Sequence, residues 1–171
     1  MKRRDFLKLA GAVSLAGCAT ATPSKARVVV VGGGFGGATA AKYIRLWDPA
    51  IDVVLVERES AFVSCPISNL LLAGYTNMPE ISRGYDALRR HGVQVVHDEA
   101  VGIDSSKKTV RLARAGELAY ERLIVSPGID FNFGEVEGYE AAMRDGAVLH
   151  AWKAGAQTVA LRRSLEQMAD G

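Results

Sequence analysis

From residue 26 the chain alternates short runs of branched apolar residues with stretches in which apolar positions recur every three or four residues. Arg27-Val28-Val29-Val30-Val31 is a continuous β-branched run ending at glycine, the pattern of a parallel strand covered on both faces. Ala38 to Trp47 combines small and apolar residues suited to a helix lying close on a sheet, and Asp48-Pro49 stops it. Ile51 to Val56 reads as a second buried strand running into Glu57, so the three pieces form a βαβ unit. Residues 62–69, Phe-Val-Ser-Cys-Pro-Ile-Ser-Asn, read as a polar loop, followed by a helical turn over Leu70 to Ala73 that closes at Gly74. Ile81, Tyr85 and Leu88 are spaced by four and three, which predicts an amphipathic helix from Pro79 to His91 capped by Gly92. Strands then crowd together at Val93 to His97, Ala100 to Ile103, Thr109 to Leu112 and Leu118 to Tyr120, with turns at 104–108 and 115–116. This crowding predicts a β-meander inserted in an α/β domain. Leu123-Ile124-Val125 reads as a third buried strand ending at Ser126-Pro127-Gly128, and helical spacing returns from Gly155 to Ala169 through Val159, Leu161, Leu165 and Met168.

Residues 1–25 break this pattern. A basic start (Lys2, Arg3, Arg4) precedes an apolar stretch from Leu9 to Ala16 that is too short to span a bilayer, the layout of an export signal. Arg3-Arg4-Asp5-Phe6-Leu7-Lys8 resembles a twin-arginine signal, which carries folded proteins across the bacterial inner membrane. The expected location is therefore periplasmic, with a cofactor acquired before export. Leu15-Ala16-Gly17-Cys18 resembles a lipobox, whereas Ala19-Thr20-Ala21 resembles a cleavage site, so membrane attachment is expected only if Cys18 is lipidated. Either way Cys65 reaches an oxidising compartment without a cysteine partner. The net charge of the 171 residues is +2, and Arg and Lys are interleaved with Asp and Glu, so no nucleic-acid partner is expected.

Gly32-x-Gly34-x-x-Gly37 fits the dinucleotide fingerprint in its required context, strand before and helix after. Gly32 permits the tight turn, Gly34 lets a pyrophosphate approach the backbone, and Gly37 allows helix and strand to pack closely. Phe35 and Gly36 lie within the same turn. Glu57, twenty residues past Gly37, is placed to accept hydrogen bonds from ribose hydroxyls, and Arg58 adjoins it. Export favours a tightly held FAD over a nicotinamide cofactor, which belongs to the cytosolic pool. The meander points the same way, as does Leu123 to Gly128, where a strand ends in a small-residue turn (Ser126, Pro127, Gly128) suited to lie against a flavin. His91, His97 and His150 are too scattered for a recognisable metal set, no Cys-x-x-Cys pair or nucleophile elbow exists, and Trp152 reads as an anchor for the last helix.

These residues carry a specific resemblance. VVVVGGGFGGATAAKYIRLWDP, the Cys65-x-x-Ser68-Asn69 loop, RRHGVQVVHDEAVGID and HAWKAGAQT resemble the flavoprotein subunit of flavocytochrome c sulfide dehydrogenase, within the pyridine-nucleotide-disulfide oxidoreductase superfamily. The likeness runs from about Arg27 to Gly171. It implies a thioether between Cys65 and the flavin 8α carbon. From the residues of the loop itself, Ser64 or Asn69 is expected to orient the thiol and Pro66 to stiffen the loop. The likeness also implies sulfide as substrate, a cytochrome c subunit as partner, and a redox disulfide and flavin-capping segment lying beyond Gly171, so that no catalytic residue is expected within 1–171. The expected architecture is α/β: a Rossmann-like FAD-binding domain over 26–150 with a parallel sheet and an inserted β-meander, truncated before a second dinucleotide-binding-like domain toward which 151–171 forms a connecting helix. The alternatives are a membrane-associated sulfide:quinone oxidoreductase-like flavoprotein and a non-catalytic FAD-binding remnant.

Overall fold

A computed structural model describes residues 26–169. The expected export signal over residues 1–25, with Cys18, lies outside the described residues. Strand β1 (Ala26–Val31) leads through the glycine turn into helix α1 (Phe35–Trp47), which returns the chain to β2 (Ile51–Val56). Together with β5 (Gln94–Val96) and β9 (Arg122–Val125) these strands form a wholly parallel sheet in the order β5-β2-β1-β9. The order reverses at β1: the chain builds outward on one side through β2 and β5, then crosses to the other side of β1 for β9. In such sheets ligands bind at the carboxyl ends of the strands beside that reversal.

Alternation along the strands splits the core into two clusters, one on each face of the sheet. Val28, Val30, Val53 and Leu55 pack with Ala41 of α1 and with Tyr85, Leu88 and Val93. Val29, Val54 and Val56 pack instead with Val110 and Leu112. The latter belong to an antiparallel meander of β6 (Ala100–Asp104), β7 (Thr109–Leu112) and β8 (Glu117–Ala119). Helices cover one face and the meander the other, which is why β1 and β2 read as unbroken valine runs. The meander has three strands. The fourth expected member, around Val93 to His97, belongs to the parallel sheet as β5, paired with β2.

The helix expected from Pro79 to His91 is interrupted. Two short helices, α3 (Met78–Ile81) and α4 (Asp86–Arg90), flank a strand β4 (Ser82–Gly84), which pairs antiparallel with β3 (Ala61–Val63) at the start of the supposed loop. Asn77 caps α3 by accepting from the Glu80 amide, and the chain then spends Ser82 to Gly84 on satisfying the edge of β3. Ile81, Tyr85 and Leu88 are all buried, as their spacing suggested, but Ile81 ends α3 whereas Tyr85 caps α4 and Leu88 lies within it. Helix α2 (Ser68–Leu72) packs against α6 (Ala156–Glu166), where Arg162 donates to the carbonyl oxygen of Leu71 at 3.3 Å. Between β9 and α6 lie a 3-10 turn (Phe133–Glu135) and helix α5 (Tyr139–Arg144).

Candidate functional site

The parallel strands end in one row. Val96, Val56, Val31 and Val125 are laterally paired across the sheet, so the segments that follow them emerge side by side. After Val31 the chain turns at Gly32, whose φ is +97°. A Cβ there would lie 2.1 Å from the Ser126 carbonyl oxygen, so only glycine fits. The Gly32 amide donates to Val56 and the Ser126 amide donates to Val31, stitching the three strand ends together. A Cβ on Gly37 would come within 1.9 Å of the Gly32 carbonyl oxygen, which is the close packing of helix on strand that the fingerprint requires.

Gly34 differs from those two. The nearest atom to a Cβ there is a Phe62 ring carbon at 3.7 Å, an ordinary contact, so its side of the turn is open. Helix α1 begins here with Gly34 as its cap and no acidic residue in its first turn. Its leading amides have no intrahelical acceptor, and the positive end of the helix dipole faces the same opening. Glu57 leaves the end of β2 and accepts from the Gly33 amide at 2.7 Å through Oε2 and from the Glu59 amide at 2.9 Å through Oε1. A carboxylate has about four acceptor positions, so capacity remains for ribose hydroxyls. Open glycine, helix terminus and carboxylate are the donor and acceptor set that an adenine dinucleotide requires, and the residues present fit FAD.

Three residues that the sequence reading left out also reach this turn. Phe62 packs edge to face on Phe35 with ring centroids 4.9 Å apart, and Tyr85 donates to the Gly33 carbonyl oxygen at 3.2 Å. With Arg83 they line a pocket of about 150 Å³ against Gly33 and Gly34. Burial pushes the Tyr85 phenol up to about 12, helped by the carboxylates of Glu57 and Glu59. The strands that deliver Phe62 and Arg83 were hidden within the supposed loop and helix.

The remaining sequence-predicted residues fall into two groups. Ser126 and Pro127 touch the glycine turn, whereas Gly128 adopts φ +79° clear of neighbours. Arg58 and Cys65 belong to a surface network beyond the strand ends. Arg58 lies 3.7 Å from Asp130, which Lys153 also engages at 2.8 Å, and the Lys153 amine, the Phe131 amide and the Arg58 charge hold the Asp130 carboxyl below its usual range. One residue earlier, the Trp152 carbonyl oxygen accepts from the Cys65 thiol at 3.0 Å. This is the partner that Ser64 or Asn69 was expected to be. Ser64 instead is buried, and its amide donates to Ile81. Trp152 is not an anchor: 75% of it is exposed.

The profile of the pyridine nucleotide-disulphide oxidoreductases matches residues 26–163. The chain belongs to this family. Membership in the pyridine nucleotide-disulphide oxidoreductases makes it part of an oxidoreductase family and implies flavin binding, in agreement with the cradle at Gly34 and Glu57. A stretch of 43 residues is 70% identical to the sulfide dehydrogenase (flavocytochrome c) flavoprotein chain of Chlorobaculum thiosulfatiphilum, covering 25% of this chain and 90% of that sequence. The mitochondrial sulfide:quinone oxidoreductase of Mus musculus is 29% identical over 111 residues, 65% of this chain and 25% of that protein. The solved sulfide:quinone oxidoreductase of Aquifex aeolicus superposes with a TM-score of 0.72 at 24% identity, covering 82% of this chain and 32% of its own. At that identity the likeness establishes the fold. Against both sulfide:quinone oxidoreductases, this chain spans a third of the relative's length or less.

Proposed function

We propose that this chain is the FAD-binding part of an exported flavoprotein that oxidises sulfide and passes electrons to a c-type cytochrome. The 70% identity to a sulfide dehydrogenase flavoprotein chain is the observation that carries this reading. When bound, FAD supplies a centre that takes up two electrons and releases them singly. The residues of this chain bind and orient it: the glycine turn and α1 receive the pyrophosphate, Glu57 the ribose, and Ser126-Pro127 borders the turn where β9 ends. Cys65 is the proposed covalent tether. It is exposed, and the 150–155 segment holds its thiol through the Trp152 carbonyl. A covalent bond would prevent loss of a cofactor that the periplasm does not make. The twin-arginine-like sequence at residues 3–8 supports that location.

Acid precipitation of the holoprotein should leave yellow, fluorescent flavin in the pellet, and Cys65→Ser should release it to the supernatant. Flavin wholly in the wild-type supernatant would sink the tether. Sulfide-dependent reduction of a c-type cytochrome by the full-length protein tests the reaction itself. The similarity to sulfide:quinone oxidoreductases favours a second reading, with quinone as acceptor. Reduction of a soluble quinone in preference to cytochrome c would select it. Replacing Arg3 and Arg4 by lysine should hold the protein in the cytoplasm, and unchanged periplasmic recovery would refute twin-arginine export.

A further inference from the structure

The glycine turn contains two glycines more than the fingerprint demands, Gly33 and Gly36, and the first is tightly enclosed. Gly33 occupies a position the Gly-x-Gly-x-x-Gly pattern leaves free. A Cβ there would lie 2.6 Å from the Tyr85 hydroxyl oxygen and 2.7 and 2.8 Å from two carbons of its ring. Any side chain at residue 33 would therefore collide with the Tyr85 ring. The Tyr85 hydroxyl also donates to the Gly33 carbonyl oxygen at 3.2 Å, while the Gly33 amide donates to Glu57 at 2.7 Å. Both polar groups of Gly33 are thus held by side chains from other elements.

We infer that Tyr85 is a positioning residue for the phosphate-binding turn, acting through the Gly33–Gly34 peptide; this rests on the flavin-binding reading. A peptide group is planar and trans, and no cis bond occurs among the described residues. The Gly33 carbonyl and the Gly34 N–H share one such plane, so anchoring the first fixes the direction of the second. Glu57 fixes the preceding plane in the same way. Three consecutive glycines have wide backbone freedom, and a ligand that had to order them would bind less tightly. Tyr85 is only 4% exposed, so water competes little for its hydrogen bond, and the phenol remains protonated and able to donate throughout the neutral range.

The test uses the whole chain in a Cys65→Ser background, which leaves the flavin removable, with ADP and adenosine as calorimetric probes of the apoprotein. Tyr85→Phe keeps the ring and removes the hydroxyl. It should raise the Kd for ADP about fivefold, the effect of one buried hydrogen bond, and leave adenosine within about twofold. Amide exchange at Gly34 should accelerate. Unchanged ADP affinity, or equal losses for ADP and adenosine, overturns the inference, because a general structural defect would not distinguish a phosphate-bearing ligand. A parent protein that binds neither ADP nor FAD overturns the flavin-binding reading and the inference with it. As a second test, Gly33→Ala should lose more than about tenfold in ADP affinity, and adding Tyr85→Ala should recover part of the loss. A double variant no better than Gly33→Ala also refutes the role of Tyr85.

Discussion

A Cβ at residue 32 has no room, because the Ser126 carbonyl occupies its place and the backbone there is left-handed. Gly32→Ala should destabilise the protein by about 3 kcal/mol or more, from strain and steric clash together, and should abolish flavin retention; urea denaturation and the flavin absorbance of the purified variant measure the two effects. Asp98 is the buried contributor to acid sensitivity among several carboxyls lowered in the fold. Asp98 is buried at the foot of the meander and accepts from the amides of Glu99, Arg114 and Ala115 and from the Arg114 guanidinium. Burial alone would push its carboxyl up, but these donors outweigh that effect and hold it below the ordinary value of 3.8. A carboxyl lowered in the fold stabilises it fully above the unfolded value and loses that contribution as pH falls through the folded one. Thermal melting should therefore drop below about pH 4. Asp98→Asn should melt lower than wild type at neutral pH yet respond less to acidification.

At the scale of elements, the strands and α1 were legible because each face of the sheet is covered and the valine runs report it directly. The glycine turn and Glu57 were legible for a different reason: phosphate and ribose recognition needs particular residues at fixed spacing. The antiparallel pair of β3 and β4 was not. Its strands are three residues long, too short for alternation to register, and Ile81, Tyr85 and Leu88 imitate one helical stripe although β4 separates Ile81 from the other two. Tyr85 and Phe62 were overlooked at the site for the same reason, and only the surplus glycine at 33 hinted at a bulky neighbour. Breaking the β3–β4 pair tests its importance. Arg83→Pro introduces a residue without an N–H opposite Phe62 and should enlarge the pocket beside Gly34, read as faster proteolysis between residues 74 and 92 while the far-UV signal of the parallel sheet persists. Core truncation marks the opposite extreme. Leu55 is completely buried near the carboxyl end of β2, and Leu55→Ala should lower the unfolding free energy by about 2–5 kcal/mol.

For the molecule as a whole, binding and folding are linked. FAD that enters only the folded state should stabilise the protein by about 2.7 kcal/mol at a hundredfold excess over Kd, read as a rise in melting temperature of about 5–10 °C for a chain of this size. An unchanged melting temperature with saturating FAD would contradict the assignment of the site.

The row of four valines that closes the parallel strands, Val96, Val56, Val31 and Val125, also sets which length changes the protein can tolerate. Position along a strand is measured by residue count, at about 3.3 Å per residue. Deleting one residue from β1 would draw the glycine turn back by that distance from Glu57 and Ser126, and would exchange the faces of every valine before it. The hairpin tip at 105–108, remote from that row and exposed, carries no such constraint. Indels among working homologues should gather at that tip and be absent from Ala26–Val31.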